Sequence, residues 1–273
     1  MRFCQSASWL RKMKDELLKI GPFTVYGYGL MIAVGIVSAY MVAEYRAKKR
    51  NMDADQLFSL TLWCLLGGVV GSKLLYWLTQ IKTIIADPKT LLDVSNGFVL
   101  YGAVLGGIAA ALIFCRKKKV SFFTYFDLFM PSVALAQGFG RIGCFLAGCC
   151  YGVQTDSAFG IVFKTSKYAP NGIRLVPTEL MSSAYDFAMF FVLLALAKKK
   201  RKEGTIGFLY LIIYSVGRFV IEFFRGDVIR GKVGILSTSQ FIAIIVCAVT
   251  CAVILVRNRK LKTGESSGDG DEQ

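Results

Sequence analysis

The chain has 273 residues, 55 % of them hydrophobic and 19 % charged, with a mean hydropathy of +0.52. The apolar excess gathers in blocks of about 20 residues, the length that crosses a bilayer, which excludes a disordered chain, a disulfide-stapled secreted module and a typical cytosolic enzyme. Lys and Arg number 33 against 18 Asp and Glu, for a net +15, and there is no histidine. The commonest neutral-pH base and metal ligand is therefore missing, and any chemistry falls to Tyr, Glu, Asp, Cys, Lys or Arg.

Taken in chain order, apolar runs bounded by charges predict helices over roughly 24–44, 57–79, 98–115, 126–147, 180–197, 205–224 and 238–256. The expected fold class is all-α: a polytopic membrane protein with about seven transmembrane helices. The first span follows about 20 polar and charged residues and leads into a basic run, so it does not read as a cleavable signal peptide. Gly67, Gly68 and Gly71 in the second span, and Gly102, Gly106 and Gly107 in the third, read first as packing residues that let helices approach closely.

Four, four, five and four basic residues lie in 46–50, 116–119, 198–202 and 257–262, at alternate span ends, whereas the opposite loops hold only two, three and three. By the positive-inside rule these clusters are cytoplasmic, which puts the C-terminus inside and, with seven spans, the N-terminus outside. Arg2, Arg11, Lys12, Lys14 and Lys19 argue weakly the other way. The surplus charge thus orients helices and meets anionic membrane lipids, and no nucleic acid partner is needed. One transmembrane domain is expected over 1–262, followed by a polar, acidic tail over 263–273 that reads as disordered.

Ionisable side chains within spans cost about 2.5–3.5 kcal/mol each on insertion, so Lys73, Asp127, Arg141, Asp186, Arg218 and Glu222 each call for a partner or a function. In the sixth span Arg218, Glu222 and Arg225 are spaced i, i+4, i+7, which predicts one helical face carrying two arginines and one carboxylate. A self-neutralising ion pair accounts for one arginine only; the surplus fits a lipid phosphate, which guanidinium binds bidentately. The fourth span ends in GFGRIGCFLAGCCYG, residues 138–152, with five glycines in fifteen. That density predicts a broken helix whose irregular backbone, with Arg141, faces an anion. Cys144, Cys149 and Cys150 fall in the same segment. Packing of a tight loop is the favoured reading for them, over a disulfide, a reactive thiol or a zinc site, and no metal or other cofactor is expected.

GRIGCFLAGCCYG, YSVGRFVIEFFRGD, IGPFTVYGYGLM and YGAVLGG occur together and in order, and with them the chain resembles the prolipoprotein diacylglyceryl transferase family over nearly its whole length. The resemblance implies an enzyme of the bacterial inner membrane that moves the diacylglyceryl group of phosphatidylglycerol onto the lipobox cysteine of prolipoprotein signal peptides, with glycerol phosphate leaving. The family signature GRxGNFxNxExxG is matched at Gly140, Arg141, Gly143, Phe145 and Gly152, while Cys144, Ala147 and Cys149 replace its two asparagines and its glutamate. Tyr214, Gly217, Arg218, Glu222 and Arg225 match its second segment, Tyr28 falls on an active-site tyrosine, and Lys73 falls where relatives often carry arginine. VPTEL at 176–180 and STSQ at 237–240 resemble the family's HPTQL and SxGQ. Both family histidines are absent: Tyr101 opens the Tyr101-Gly102-Ala103 counterpart of HGG, and Val176 opens the counterpart of HPTQL.

By this resemblance Arg141, Arg218, Tyr28 and Tyr101 are the expected catalytic residues. Lys73, Gly102, Gly140, Gly143, Gly152, Glu222 and Arg225, with the two arginines, are expected to bind substrate. The replaced residues leave two other readings open: a paralogue acting on another acceptor or head group, and a non-catalytic lipid-binding protein.

Overall fold

The computed structural model describes residues 16–20, 23–87, 97–227 and 231–266. The N-terminal basic residues up to Lys14 and the end of the tail, 267–273, lie outside the described residues, and helix extends as far as Ser266. Among the described residues the predicted spans correspond to α1 (Gly27–Lys49), α2 (Ala54–Thr79), α4 (Leu100–Lys118), α5 (Phe122–Ala147), α6 (Thr178–Leu196), α7 (Thr205–Glu222) and α8 (Thr238–Ser266); α3 (Ile81–Ala86) is a short additional turn. Six of these helices are long and apolar enough to cross a membrane. The remaining long one, α5, is diluted by Asp127, Gln137, Arg141 and three glycines. Side chains that a soluble protein would bury point outward, among them Leu66, Leu105, Phe191 and Leu255, each more than 60 % exposed, as a lipid-facing surface requires.

Apart from shifts of a few residues at helix ends and the extension of α8 to Ser266, two features depart from expectation. The first helix begins at Gly27 because Phe23–Tyr26 forms strand β2, paired antiparallel with β1 (Glu16–Ile20). Aromatic and β-branched residues dominate that stretch and suit a strand. The glycine-rich part of α5 does not break: helix continues through Gly138, Gly140, Arg141 and Gly143 to Ala147. Propensity loses here to packing. A Cβ on Gly138 would lie 2.8 Å from the Phe187 ring of α6, and one on Gly143 would lie 3.1 Å from Tyr28 of α1. The break comes only at Gly148, in the left-handed region at φ 69°.

The chain forms two compact units, one of Tyr40–Leu128 and one of Met1–Ala39 with Phe129–Gln273. In the first, α2 and α4 meet through Gly67, Gly71, Gly102 and Gly106, whose absent side chains let the two backbones touch. Asp53 caps α2 by accepting from the Asp55 and Gln56 amides at 2.8 and 3.3 Å. Arg46, the first residue of the first basic cluster, is 8 % exposed and donates to the Asp127 and Leu128 carbonyls.

In the second unit the connection from α5 to α6 folds over a small core of Phe145, Phe163, Ala169 and Leu175, closed by the two-residue pair β3 (Ile161–Val162) and β4 (Arg174–Leu175). A second short pair, β5 (Lys232–Val233) and β6 (Leu236–Ser237), leads into α8. That helix starts with a reciprocal cap: the Ser237 amide donates to Gln240 Oε1 at 3.1 Å and the Gln240 amide donates to Ser237 Oγ at 3.2 Å.

Candidate active site

The cap of α8 is also where the site begins. Ser237 turns its hydroxyl to Glu222 Oε1 at 3.0 Å, and Ser239 accepts from Arg218 Nη2 at 2.9 Å. Glu222 pairs with Arg218 Nη2 at 2.8 Å across one turn of α7. Both side chains are nearly buried, at 11 and 5 % exposure, so the pair is shielded from screening. The other terminal nitrogen of Arg218, Nη1, is buried with no hydrogen-bond partner.

Arg225 departs from the expected single helical face. Helix α7 ends at Glu222, and Arg225 lies beyond it in an extended bridge to Gly152. Its guanidinium grips Asp227 through Nε and Nη2 at 3.0 and 2.9 Å and lies 3.8 Å from Glu222. The expected excess of two arginines over one carboxylate is therefore corrected, because Asp227 supplies the second carboxylate. The bridge to Gly152 is made by the Val153 amide donating to the Phe224 carbonyl at 2.9 Å and the Gly226 amide donating to the Tyr151 carbonyl at 3.1 Å. On its other side the Gly152 amide donates to the Val176 carbonyl at 3.0 Å, and a Cβ on Gly152 would meet the Phe224 carbonyl at 2.8 Å. Val176, at the position of a family histidine, thus holds the loop through its backbone.

Arg141 and Arg218 line one pocket together with Ser182, Tyr185, Asp186, Tyr214, Gly217 and Ile221. Asp186, 3 % exposed, lies within electrostatic reach of both arginines. The free space is ≈ 10 Å³, about one water. Gly217 admits the Tyr185 ring, which a Cβ would overlap. Gly140 differs from the other signature glycines, since no atom lies within 4 Å of where its Cβ would stand. Tyr28 is 44 % exposed, packs on Gly143 and lies within electrostatic reach of Arg141.

The thiols of Cys144, Cys149 and Cys150 all lie within 4.8 Å of one another, and none forms a disulfide. Hydrogen bonds with the Cys144 and Cys149 thiols, with the Arg225 guanidinium alongside, hold the Cys150 thiol below its ordinary range. The Cys149 thiol is pushed up, because it shares the same hydrogen bonds and is half-buried.

The structure therefore brings Tyr28, Gly140, Arg141, Gly143, Gly152, Arg218, Glu222 and Arg225 into one unit. Tyr101, Gly102 and Lys73 belong to the other. Tyr101 is in the first turn of α4 and 46 % exposed; Gly102 is buried against Ser72 and Leu75 of α2; Lys73 stacks its ammonium 5.3 Å from the Tyr76 and Phe98 ring centres. Sequence reasoning named Asp186 only as a costly buried charge and passed over Ser182, Asp227 and Glu179. The serines of STSQ were noticed only as a resemblance, although their 3.0 Å and 2.9 Å bonds fix Glu222 and Arg218.

These features define a polytopic helical membrane protein with a buried cluster of paired arginines and carboxylates. The sequence profile described as prolipoprotein diacylglyceryl transferase matches residues 15–256, and the chain belongs to that family. A Clostridium tetani protein named phosphatidylglycerol–prolipoprotein diacylglyceryl transferase is 48 % identical over 232 residues, covering 85 % of this chain and 93 % of the relative. A second, from Clostridium perfringens and carrying the same name with the numeral 2, is 42 % identical over 258 residues, 94 % of this chain and 100 % of the relative. One from a Nostoc species is 31 % identical over 256 residues, 90 % of each chain.

Proposed function

We propose that this protein transfers the diacylglyceryl group of phosphatidylglycerol to the lipobox cysteine thiol of prolipoproteins in the bacterial cell membrane, with the C-terminus cytoplasmic and the N-terminus outside. Family membership and the names of the relatives support the reaction class. The observation that carries the site is the buried, unpartnered Nη1 of Arg218 in the pocket that Arg141 also lines. A donor without a partner costs about 1–3 kcal/mol, which a phosphate oxygen would recover.

In the reaction the substrate thiolate attacks the glyceryl carbon that bears the phosphate ester. A carbon–sulfur bond forms, the carbon–oxygen bond to phosphate breaks, and glycerol phosphate leaves with the electron pair. Arg141 and Arg218 hold the phosphate and offset the charge that develops on the leaving oxygen. Glu222, Ser239 and Ser237 keep Arg218 from swinging out of position, and Arg225 anchors the loop through Gly152 and Asp227. A pocket with ≈ 10 Å³ of free space must widen to admit a phosphodiester. Gly140 leaves open space beside Arg141 for the glycerol backbone.

Tyr101 stands where the family pattern has histidine; as a phenolate it would take the proton of the acceptor thiol and become the neutral phenol. A cysteine thiol is already a few per cent ionised at neutral pH, so this step needs less assistance than an alcohol would. Tyr101→Phe is expected to lower the rate by about 100-fold, the lower range for a general base, and Tyr101→His to retain activity. Wild-type rates in Tyr101→Phe would remove the tyrosine from the proton transfer.

The test uses purified protein in detergent with phosphatidylglycerol and a lipobox peptide, reading glycerol phosphate release and peptide mass. Gly140→Leu, whose side chain fills space that the fold leaves empty, is expected to keep wild-type thermal stability while losing about 10-fold or more in rate. Equal rates for Gly140→Leu and wild type would place the lipid elsewhere.

A further inference from the structure

The cysteine cluster at the end of α5 has no part in that reaction. Cys144 lies in the last turn of the helix and Cys149 and Cys150 follow the Gly148 turn, yet the three sulfurs lie within 4.8 Å of one another. Neighbouring side chains ordinarily diverge. Here Gly148 and Cys150 both take left-handed backbone, at φ 69° and 68°, which folds the vicinal pair back over the helix end. The fold holds this turn without any ligand: the Cys149 amide donates to the Cys144 carbonyl at 3.1 Å, and Thr178 Oγ1 donates to the Cys150 carbonyl at 2.8 Å.

Three thiolates around one ion at metal–sulfur distances of about 2.3 Å would stand about 4 Å apart, so the cluster is within about 1 Å of a chelating arrangement. The donor set is all sulfur, which selects a thiophilic cation over magnesium or calcium. A second observation points the same way. Glu179, in the first turn of α6, is 1 % exposed, and neither carboxylate oxygen meets a hydrogen-bond donor from another residue. It lies within electrostatic reach of Cys150, of the Arg225 guanidinium and of Asp227. A buried carboxylate with no hydrogen-bond donor from another residue, near the Cys150 end of the cluster and with Asp227 also in reach, is what a cation further to Arg225 would stabilise. Arg225 lies against the Cys150 thiol and Arg141 within electrostatic reach of Cys144 and Cys150, so two cations are placed to offset the net negative charge of a divalent ion held by three thiolates.

We infer that Cys144, Cys149 and Cys150 form a binding site for one thiophilic divalent ion of the zinc and cadmium class, with Glu179 as its neighbouring carboxylate. Binding exchanges thiol protons for the metal, with no change of oxidation state. The loop so closed is the one that bridges to Arg225 through Gly152.

The experiment titrates cadmium into reduced, chelator-treated full-length protein in detergent and reads the sulfur-to-metal charge-transfer absorbance. One equivalent is expected to saturate the signal, and excess zinc to displace it. Cys144→Ser, Cys149→Ser and Cys150→Ser are each expected to weaken binding on the order of 100-fold, whereas Cys64→Ser in α2 leaves it unchanged. Wild-type protein gives an independent reading: bound zinc should protect these three cysteines from maleimide labelling, as located by peptide mass. No signal at one equivalent, unchanged affinity in Cys150→Ser, loss in Cys64→Ser, or equal labelling with and without zinc would each overturn the site. None of these readouts depends on transferase activity.

Discussion

Arg218→Lys is expected to accumulate like the wild type yet lose about 100-fold in kcat/KM for phosphatidylglycerol, the cost of removing one positioned donor from a charge-stabilising site. The expectation follows from how the guanidinium is divided. Nη2 is committed to Glu222 at 2.8 Å and Ser239 at 2.9 Å, while Nη1 is buried without a partner. Lysine can keep the ion pair with Glu222, but it is a point charge and cannot hold one partner and offer a fixed second donor in the same plane. Arg218→Ala is the less informative change. It leaves Glu222 as a buried carboxylate with Arg225 at 3.8 Å, and breaking a buried pair costs about 3–5 kcal/mol, so the protein itself would suffer. Activity of Arg218→Lys within twofold of wild type, at equal abundance, would show that the free nitrogen is not used.

Gly106→Val should abolish stable accumulation, while Gly107→Val one residue on should be tolerated. A Cβ at Gly106 would overlap the Gly67 carbonyl oxygen and lie 2.9 Å from the Gly71 Cα, both backbone atoms that cannot rotate away. At Gly107 the nearest atom is the Cys64 carbonyl oxygen at 3.5 Å, an ordinary contact. Overpacking in well-filled cores costs about 1–3 kcal/mol, and here the clash is with backbone and repeats along the α2–α4 contact. The measurement is thermal unfolding of both variants in detergent, alongside their abundance in membranes. Equal stability of the two would mean that the close approach of these helices is not a principal support of the unit.

Much of this was readable from residues alone. Helix positions followed from apolar runs, and a packing role was expected for Gly67, Gly68, Gly71, Gly102, Gly106 and Gly107, of which Gly67, Gly71, Gly102 and Gly106 make the close backbone contacts. What escaped was set by tertiary contact. Glycines at 138, 140 and 143 argued against helix by propensity, yet two of them are filled by neighbouring aromatic rings, and α5 stays intact. Arg225 looked like a third residue of one helical face because periodicity continues past the residue where α7 stops. Asp227 and Asp186 become the partners of arginines only when turns and separate helices bring them close. The convergence of the three thiols depends on two left-handed residues, and for Cys150 no sequence rule demands that conformation.

This chain, although it carries no histidine, is expected to be a working diacylglyceryl transferase. The direct measurement is to express it in bacteria depleted of their own transferase and determine the mass of a reporter prolipoprotein. The prediction is a mass gain of one diacylglyceryl group on the lipobox cysteine, lost in the normally abundant Arg218→Lys variant. An unmodified reporter in the presence of abundant wild-type protein would contradict it.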